Sequence, residues 1–222
     1  MSQPFVCFEQ FLPSAARDAV LGAALTAAGH ESLIRSTTIH SNTNATVVDE
    51  GFRSSWTSAL PEEIWQLFDR PLRQLLPFLR HELGLEWFGF SHIERALTVH
   101  GPGDFFKRHS DNGNAATASR KISFVYHCHV QPRGFEGGEL RLHPPPVVDH
   151  EVTSPVDVEP TDNALVCFPA ETPHEVLAVR SAVAPPDGCR FTVNGWFHEA
   201  PGTYDAVMSE LDPSRGTGRV DR

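Results

Sequence analysis

From about residue 86 the chain breaks into short runs of aromatic and β-branched residues: EWFGFSHI, RALTVH, KISFVYHCHV, GELRLH, NALVCF, HEVLAV and CRFTVNGWF. Clusters of Gly, Pro, Asn and Asp separate them. Runs of this length and spacing suit strands of a sandwich or barrel, because each can bury one face and none is long enough for a core helix. In the last run Arg190, Thr192, Asn194 and Trp196 share one face of the pleat, and Phe191, Val193 and Gly195 share the other. One face of that strand is therefore polar, which suits an interior that holds a ligand.

Before residue 86 the pattern is helical. Residues 14–28 (SAARDAVLGAALTAA) place Val20, Leu21, Ala24, Leu25 and Ala28 at helical spacing and stop at Gly29. Residues 61–83 open on Pro61 and repeat Ile64, Leu67, Phe68, Leu72, Leu75, Leu76 and Leu79 at three and four. Pro71 and Pro77 interrupt this stretch, so a helix pair backing the sheet is expected there. The segments 144–161 and 181–188 are rich in Pro and read as loops, and the tail 201–222 reads as partly disordered. With 222 residues the chain suits one domain over 1–200, helical to about 85 and β from 86 to 200.

Composition narrows the function. No stretch approaches the ~20 apolar residues of a membrane span, and MSQPFVCFEQFL has no secretory pattern, so a cytoplasmic protein is expected. A formal charge of -10 without a Lys/Arg run disfavours tracking a nucleic-acid backbone. Cys7, Cys128, Cys167 and Cys189 have no C-x-x-C spacing and are expected to be buried free thiols. Nothing here specifies an oligomeric state.

His109 and Asp111 are two apart, so on an extended segment both point the same way, with Cα atoms roughly 7 Å apart, a span one metal ion can bridge. Alone the pair means little, since 12 His and a similar number of Asp supply about 0.6 such pairs by chance. Context changes that. HGPGDFFKRHSD (100–111), GFEGGELRL (134–142), ALVCFPAETPHEV (164–176) and CRFTVNGWFH (189–198) follow one another, placing His174 at the start of one strand and Arg190 at the start of the next. In this order the chain, over roughly residues 94–198, resembles the prolyl 4-hydroxylase-like branch of the iron(II)/2-oxoglutarate dioxygenases.

The resemblance implies an α+β, mainly β fold: a double-stranded β-helix (jelly roll) core with N-terminal helices packed outside. It implies Fe(II) held by His109, Asp111 and His174, 2-oxoglutarate gripped by Arg190 with Thr192 beside it, and O₂ as co-reactant. Ascorbate dependence stays open. Two imidazoles and a carboxylate on one face of iron leave three adjacent positions for a bidentate 2-oxo acid and O₂, and a planar guanidinium can grip the distal carboxylate by two parallel hydrogen bonds. The implied reaction is hydroxylation of an unactivated C–H bond with release of succinate and CO₂, on a prolyl residue of a protein or peptide; a free amino acid or secondary-metabolite scaffold is the other small-molecule option.

Two departures from the family stand out. His100 occupies the place of a Tyr that bonds the cosubstrate, and could donate the same bond. His174 and Arg190 are sixteen apart rather than about ten, an insertion assigned to a hairpin loop at SAVAPPDG. One of Tyr126 or His127 is expected to line the cosubstrate pocket, the pleat leaving open which. Rival readings are a cupin-like metal site on His127 and His129, and a non-catalytic jelly-roll binding module. Gly137 and Gly138 read as structural, His143 and His150 as solvent-exposed. The segments 36–53 and 144–160 are expected to be loops framing the mouth.

Overall fold

The computed structural model describes residues 4–29, 33–39, 46–143 and 154–202. The elements run β1 (Val6–Phe8), α1 (Ser14–Gly29), β2 (Ile34–Arg35), β3 (Thr38–Ile39), β4 (Thr46–Val47), β5 (Arg53–Ser54), β6 (Trp56–Ser58) and α2 (Glu62–Glu82). Then follow β7 (Phe90–His100), β8 (Phe105–His109), β9 (Arg120–Cys128), β10 (Glu136–Gly137), β11 (Leu140–Leu142) and β12 (Val156–Val158). Last come β13 (Ala164–Pro169), β14 (His174–Val176), β15 (Val179–Arg180) and β16 (Arg190–Glu199). Among the described residues a larger sheet has the order β1-β13-β9-β16-β7-β6-β2 and a smaller one β12-β11-β14-β8-β5. All pairings within them are antiparallel. This is the jelly-roll core expected from the sequence.

Period-two alternation decides which face of the larger sheet meets what. Phe191, Val193 and Phe197 of β16 join Leu97, Val99, Ile122 and Tyr126 in the main core, packed against Val20 and Ala24 of α1 and Trp65, Phe68, Leu72, Leu76 and Leu79 of α2. The helices thus cover the sheet's outer face. On the inner face a small cluster of Val125, Val166, Phe168, Leu140 and Leu142 joins the two sheets, and the rest of the interior is polar.

Several sequence expectations change. Pro71 and Pro77 do not split a helix pair: α2 is continuous from Glu62 to Glu82. Each proline removes a hydrogen bond at a cost of about 3 kcal/mol. Five buried apolar side chains at spacings of three and four contribute about 1.5–3 kcal/mol each, which outweighs it. Segment 36–53 is not a structureless loop, since β3 and β4 pair as Thr38↔Val47 and β5 joins β8 as Arg53↔Phe106. Of the loop 144–160, residues 144–153 lie outside the described residues, as do the tail from 203 and His150. His143 is shielded rather than solvent-exposed, and its Nε2 meets Glu175 at 3.0 Å. Cys7 is exposed, while Cys128, Cys167 and Cys189 are buried, and all four are free. The insertion at 181–188 is not a hairpin loop, because β15 pairs with β10 and β16 with β7 and β9; it crosses between sheets and is tied down where Ser181 Oγ donates to the Gly134 carbonyl at 2.6 Å.

Candidate metal centre

The pairing of β14 with β8 sets His174 directly opposite His109, with their rings 4.2 Å apart. Asp111 follows in the turn after β8, fixed where its N–H donates to the Ala170 carbonyl at 2.9 Å. The ligand atoms of His109, Asp111 and His174 all lie within 4.8 Å of one another, the one such group among the described residues. Backbone carbonyls orient both rings: His109 Nδ1 meets the Lys107 carbonyl at 2.9 Å, and His174 Nδ1 meets that of Thr172 at 2.9 Å. A carbonyl can only accept, so each Nδ1 carries the proton and each Nε2 presents a lone pair. Those two Nε2 atoms face the two Asp111 oxygens, at 3.5 Å and 3.6 Å.

Charge agrees with geometry. Burial pushes the Asp111 carboxyl up, but the His174 and His109 imidazoles and the Ser123 hydroxyl, which donates to Oδ2 at 2.6 Å, hold it well below the usual carboxylate range. Burial, aided by His109 and opposed by Asp111 and the Thr172 carbonyl, brings His174 down to about 4. Two imidazoles that turn Nε2 toward one carboxylate make a donor set that fits a divalent first-row ion such as iron(II).

A cavity of about 620 Å³ opens on this group and runs to Arg190. Arg190 is 2 % exposed, and its Nε and Nη2 have no hydrogen-bond partner among the described residues. Its nearest polar contact is His100 Nδ1, at 3.4 Å from Nη1. A buried cation without an anion is costly, and burial lowers it only to about 10, so it keeps its charge at neutral pH. The site therefore fits a carboxylate. Gly138, at φ +70°, makes room for the side chain: a Cβ there would stand 2.8 Å from Arg190 Cδ. Gly137, at φ +72°, would meet the Ala178 carbonyl oxygen at 2.3 Å, so both glycines are structural.

Arg190, Thr192, Asn194 and Trp196 share the inner face of β16. Thr192 pairs across with His127, Asn194 with Val125 and Trp196 with Ser123. Thr192 Oγ1 and both His127 nitrogens are buried without hydrogen-bond partners among the described residues. Burial first, then the Arg190 charge, holds His127 far below its ordinary value; His100 is held down by burial, Arg190 and Arg53. The pleat thus turns His127, not Tyr126, toward the inner face. Tyr126 faces the helices, its ring edge-on to Phe68 at 5.0 Å and its hydroxyl donating to Asn163 Oδ1 at 2.9 Å. The cupin-like alternative finds no third ligand among the described residues; His129 Nδ1 is engaged by the Val130 carbonyl at 3.0 Å.

Sequence reading missed Ser123, Arg53 and the Glu94–Arg120 pair that lines the cavity. Ser123 had a signal, being the polar residue in step with His127 in an apolar run. Arg53 had none, since only the pairing of β5 with β8 brings it in.

Comparison with known proteins agrees with the geometry. Residues 95–198 match the family model of the 2OG-Fe(II) oxygenase superfamily. An uncharacterized PKHD-type hydroxylase of Synechocystis sp. is 34% identical over 131 residues, 58% of this chain and 43% of that protein, so the match spans less than half the length of that curated relative. Among solved structures, a Pseudomonas putida prolyl-4-hydroxylase superposes with a TM-score of 0.65 at 24% identity, covering 89% of this chain and 93% of the other. A prolyl hydroxylase from Trichoplax adhaerens, in complex with a hypoxia inducible factor oxygen degradation domain peptide fragment, gives 0.68 at 18% identity, covering 88% and 84%. No helix among the described residues is long and apolar enough to cross a membrane. Residues 95–198, which carry the His–Asp–His group and Arg190, are thus similar to the 2OG-Fe(II) oxygenase superfamily, and the chain shares its fold with the solved prolyl hydroxylases.

Proposed function

We propose that the protein is an Fe(II)- and 2-oxoglutarate-dependent hydroxylase acting on a prolyl residue of a protein or peptide. The observation that carries this reading is a buried, unpaired Arg190 in the same cavity as a His–Asp–His group whose two Nε2 lone pairs are already turned inward. In it His109, Asp111 and His174 hold the iron, and Arg190 forms two parallel hydrogen bonds to the distal carboxylate of 2-oxoglutarate. His100 lines the Arg190 end of the cavity, and Thr192 and His127 are buried on the same face of the sheet, where the two neutral imidazoles can donate without adding charge. Iron held there would supply the oxidising chemistry, in which O₂ gives one oxygen atom to the substrate C–H bond and the other to the succinate left when 2-oxoglutarate loses CO₂. The chain contributes orientation and a dry, shaped site.

The prolyl reading draws support from the solved relatives named as prolyl hydroxylases, one of them with a peptide bound. Anaerobic addition of Fe(II) and 2-oxoglutarate should produce a weak visible charge-transfer band, absent without either. Admitting O₂ should then give succinate, with a mass gain of one oxygen on a proline-containing peptide. No band would remove the cofactor assignment. A band and succinate with oxygen appearing only on a small molecule would move the substrate to the free amino acid or metabolite class.

A further inference from the structure

The chain carries a formal charge of -10, yet among the described residues its cavity-lining Arg53 and Arg108 make no ion pair. Arg120 is satisfied by a bidentate pair with Glu94 at 2.7 Å and lies over Trp196 at 3.8 Å. Arg190 is given to the cosubstrate above. Arg53 remains. Its Nε donates to Ser55 Oγ at 3.1 Å and its Nη1 to the Thr37 carbonyl at 3.0 Å, both neutral acceptors, and its Nη2 has no partner among the described residues. It makes no ion pair among them either.

The position of this charge is telling. The Arg53 guanidinium lies 4.6 Å over the Phe106 ring, and that ring stacks on His109 at 3.6 Å. A single ring, Phe106, thus touches both the charge and an imidazole of the candidate metal centre, and all three residues line the same cavity. The carboxylate that offsets it most is Asp111, and the proposed function gives Asp111 to a divalent cation. With that ion in place Arg53 faces a site whose charge no longer favours it, while Arg108, also cavity-lining and unpaired among the described residues, adds to the same sign at the rim. A half-buried guanidinium whose Nη2 is unengaged among the described residues keeps a charged donor for an oxyanion.

We propose that the molecule hydroxylated carries a carboxylate and that Arg53 binds it, so that the cavity reads two carboxylates, one on the cosubstrate and one on the substrate. This rests on the iron and 2-oxoglutarate part of the proposed function and specifies the substrate by its chemistry: a carboxylate that is either the α-carboxylate of a free amino acid or an acidic side chain beside the reacting residue of a polypeptide. The short stack from Arg53 to His109 places the target C–H a few bonds from the carboxylate.

The test uses the full chain loaded with Mn(II), a redox-inert stand-in for iron, and 2-oxoglutarate, followed by calorimetry. One arm titrates the common L-amino acids against their carboxamides; the other titrates prolyl hexapeptides carrying Glu beside Pro against their Gln twins. In at least one arm the acid should bind about tenfold or more tighter than its amide, the worth of one charge-assisted contact. That preference should vanish in Arg53→Gln, shrink in Arg53→Lys, and leave the 2-oxoglutarate dissociation constant within about twofold. The responding arm identifies the source of the carboxylate. Acid and amide binding alike, a preference that survives Arg53→Gln, or no binding by any acid probe would each overturn the proposal, as would an Arg53→Gln defect confined to 2-oxoglutarate. If Arg53→Gln does not fold, the comparison is made on Arg53→Lys. Failure of the wild-type protein to take up Mn(II) and 2-oxoglutarate appears in the first titration, before any probe, and counts against the underlying function instead.

Discussion

Replacing Gly138 with alanine perturbs the cavity without touching a polar group. Gly138 sits at φ +70°, where a non-glycine residue costs about 1–2 kcal/mol. Its new Cβ would stand 2.8 Å from Arg190 Cδ and 3.1 Å from Val179 Cγ2. Ordinary carbon contacts are about 3.5–4.0 Å, so the arginine stem must retreat by at least roughly half an ångström. A retreat of that size carries the guanidinium out of the ~2.7–2.9 Å range of charge-assisted hydrogen bonds. Losing about half of a contact worth roughly 1.5–3 kcal/mol weakens 2-oxoglutarate binding by about threefold to tenfold. Backbone strain separately lowers the melting midpoint, by roughly 2–8 °C for a chain of this size. Gly103 is the control: at φ +88° it suffers similar strain, but a Cβ there meets nothing within 4 Å. Gly103→Ala should lower the melting midpoint and leave 2-oxoglutarate affinity unchanged. Both are read on Mn(II)-loaded protein, by thermal melts and cosubstrate titration. Equal cosubstrate affinity in Gly138→Ala and wild type, or equal losses in the two variants, would refute the argument that Gly138 acts by seating Arg190.

Three further outcomes follow from the same geometry. Arg190→Ala should raise the Michaelis constant for 2-oxoglutarate by tenfold to a hundredfold or more, and Arg190→Lys by less, since charge survives while the fork is lost; initial-rate kinetics against 2-oxoglutarate decide it. Ser123→Ala removes the donor to Asp111 Oδ2 and should weaken metal affinity by about tenfold, measured by Mn(II) titration of the metal-free protein with no substrate present. Burial holds His100, His127 and His174 below their unfolded value, so the unfolded chain binds more protons than the native one in acid. Stability of the metal-free protein should be full above about pH 7 and fall as pH drops through 6.5 toward 5; urea midpoints across that range test it, and His127→Leu should flatten the slope.

The alternating residues of 190–196 were legible in the sequence because a pleat leaves only two faces, and the packing of Phe191 and Val193 into the core beneath the helices settles which is which. His109, Asp111 and His174 were legible because the spacing of the surrounding runs already resembled a known order, not because an H-x-D pair is informative. Tyr126 against His127 was not, since period two offers both faces until a neighbouring strand fixes one; the pairing Thr192↔His127 does that. Two prolines in α2 misled because local backbone cost is visible in a sequence while the burial of Phe68 and Leu72 that outweighs it is tertiary. Arg53 was silent for the same reason, its place depending on a two-residue strand with no period of its own.

The two imidazoles are turned by main-chain carbonyls, those of Lys107 and Thr172, each two residues before the ring it orients. A carbonyl belongs to every residue, so no side-chain substitution at 107 or 172 can delete the acceptor. The carboxylate is held differently, by the hydroxyl of Ser123, which a single substitution removes. The centre is therefore lopsided in its exposure to mutation. Its nitrogen half is guarded by the path of the backbone, and change in how tightly it grips a metal, or which metal it prefers, has its easiest entrance through the oxygen half.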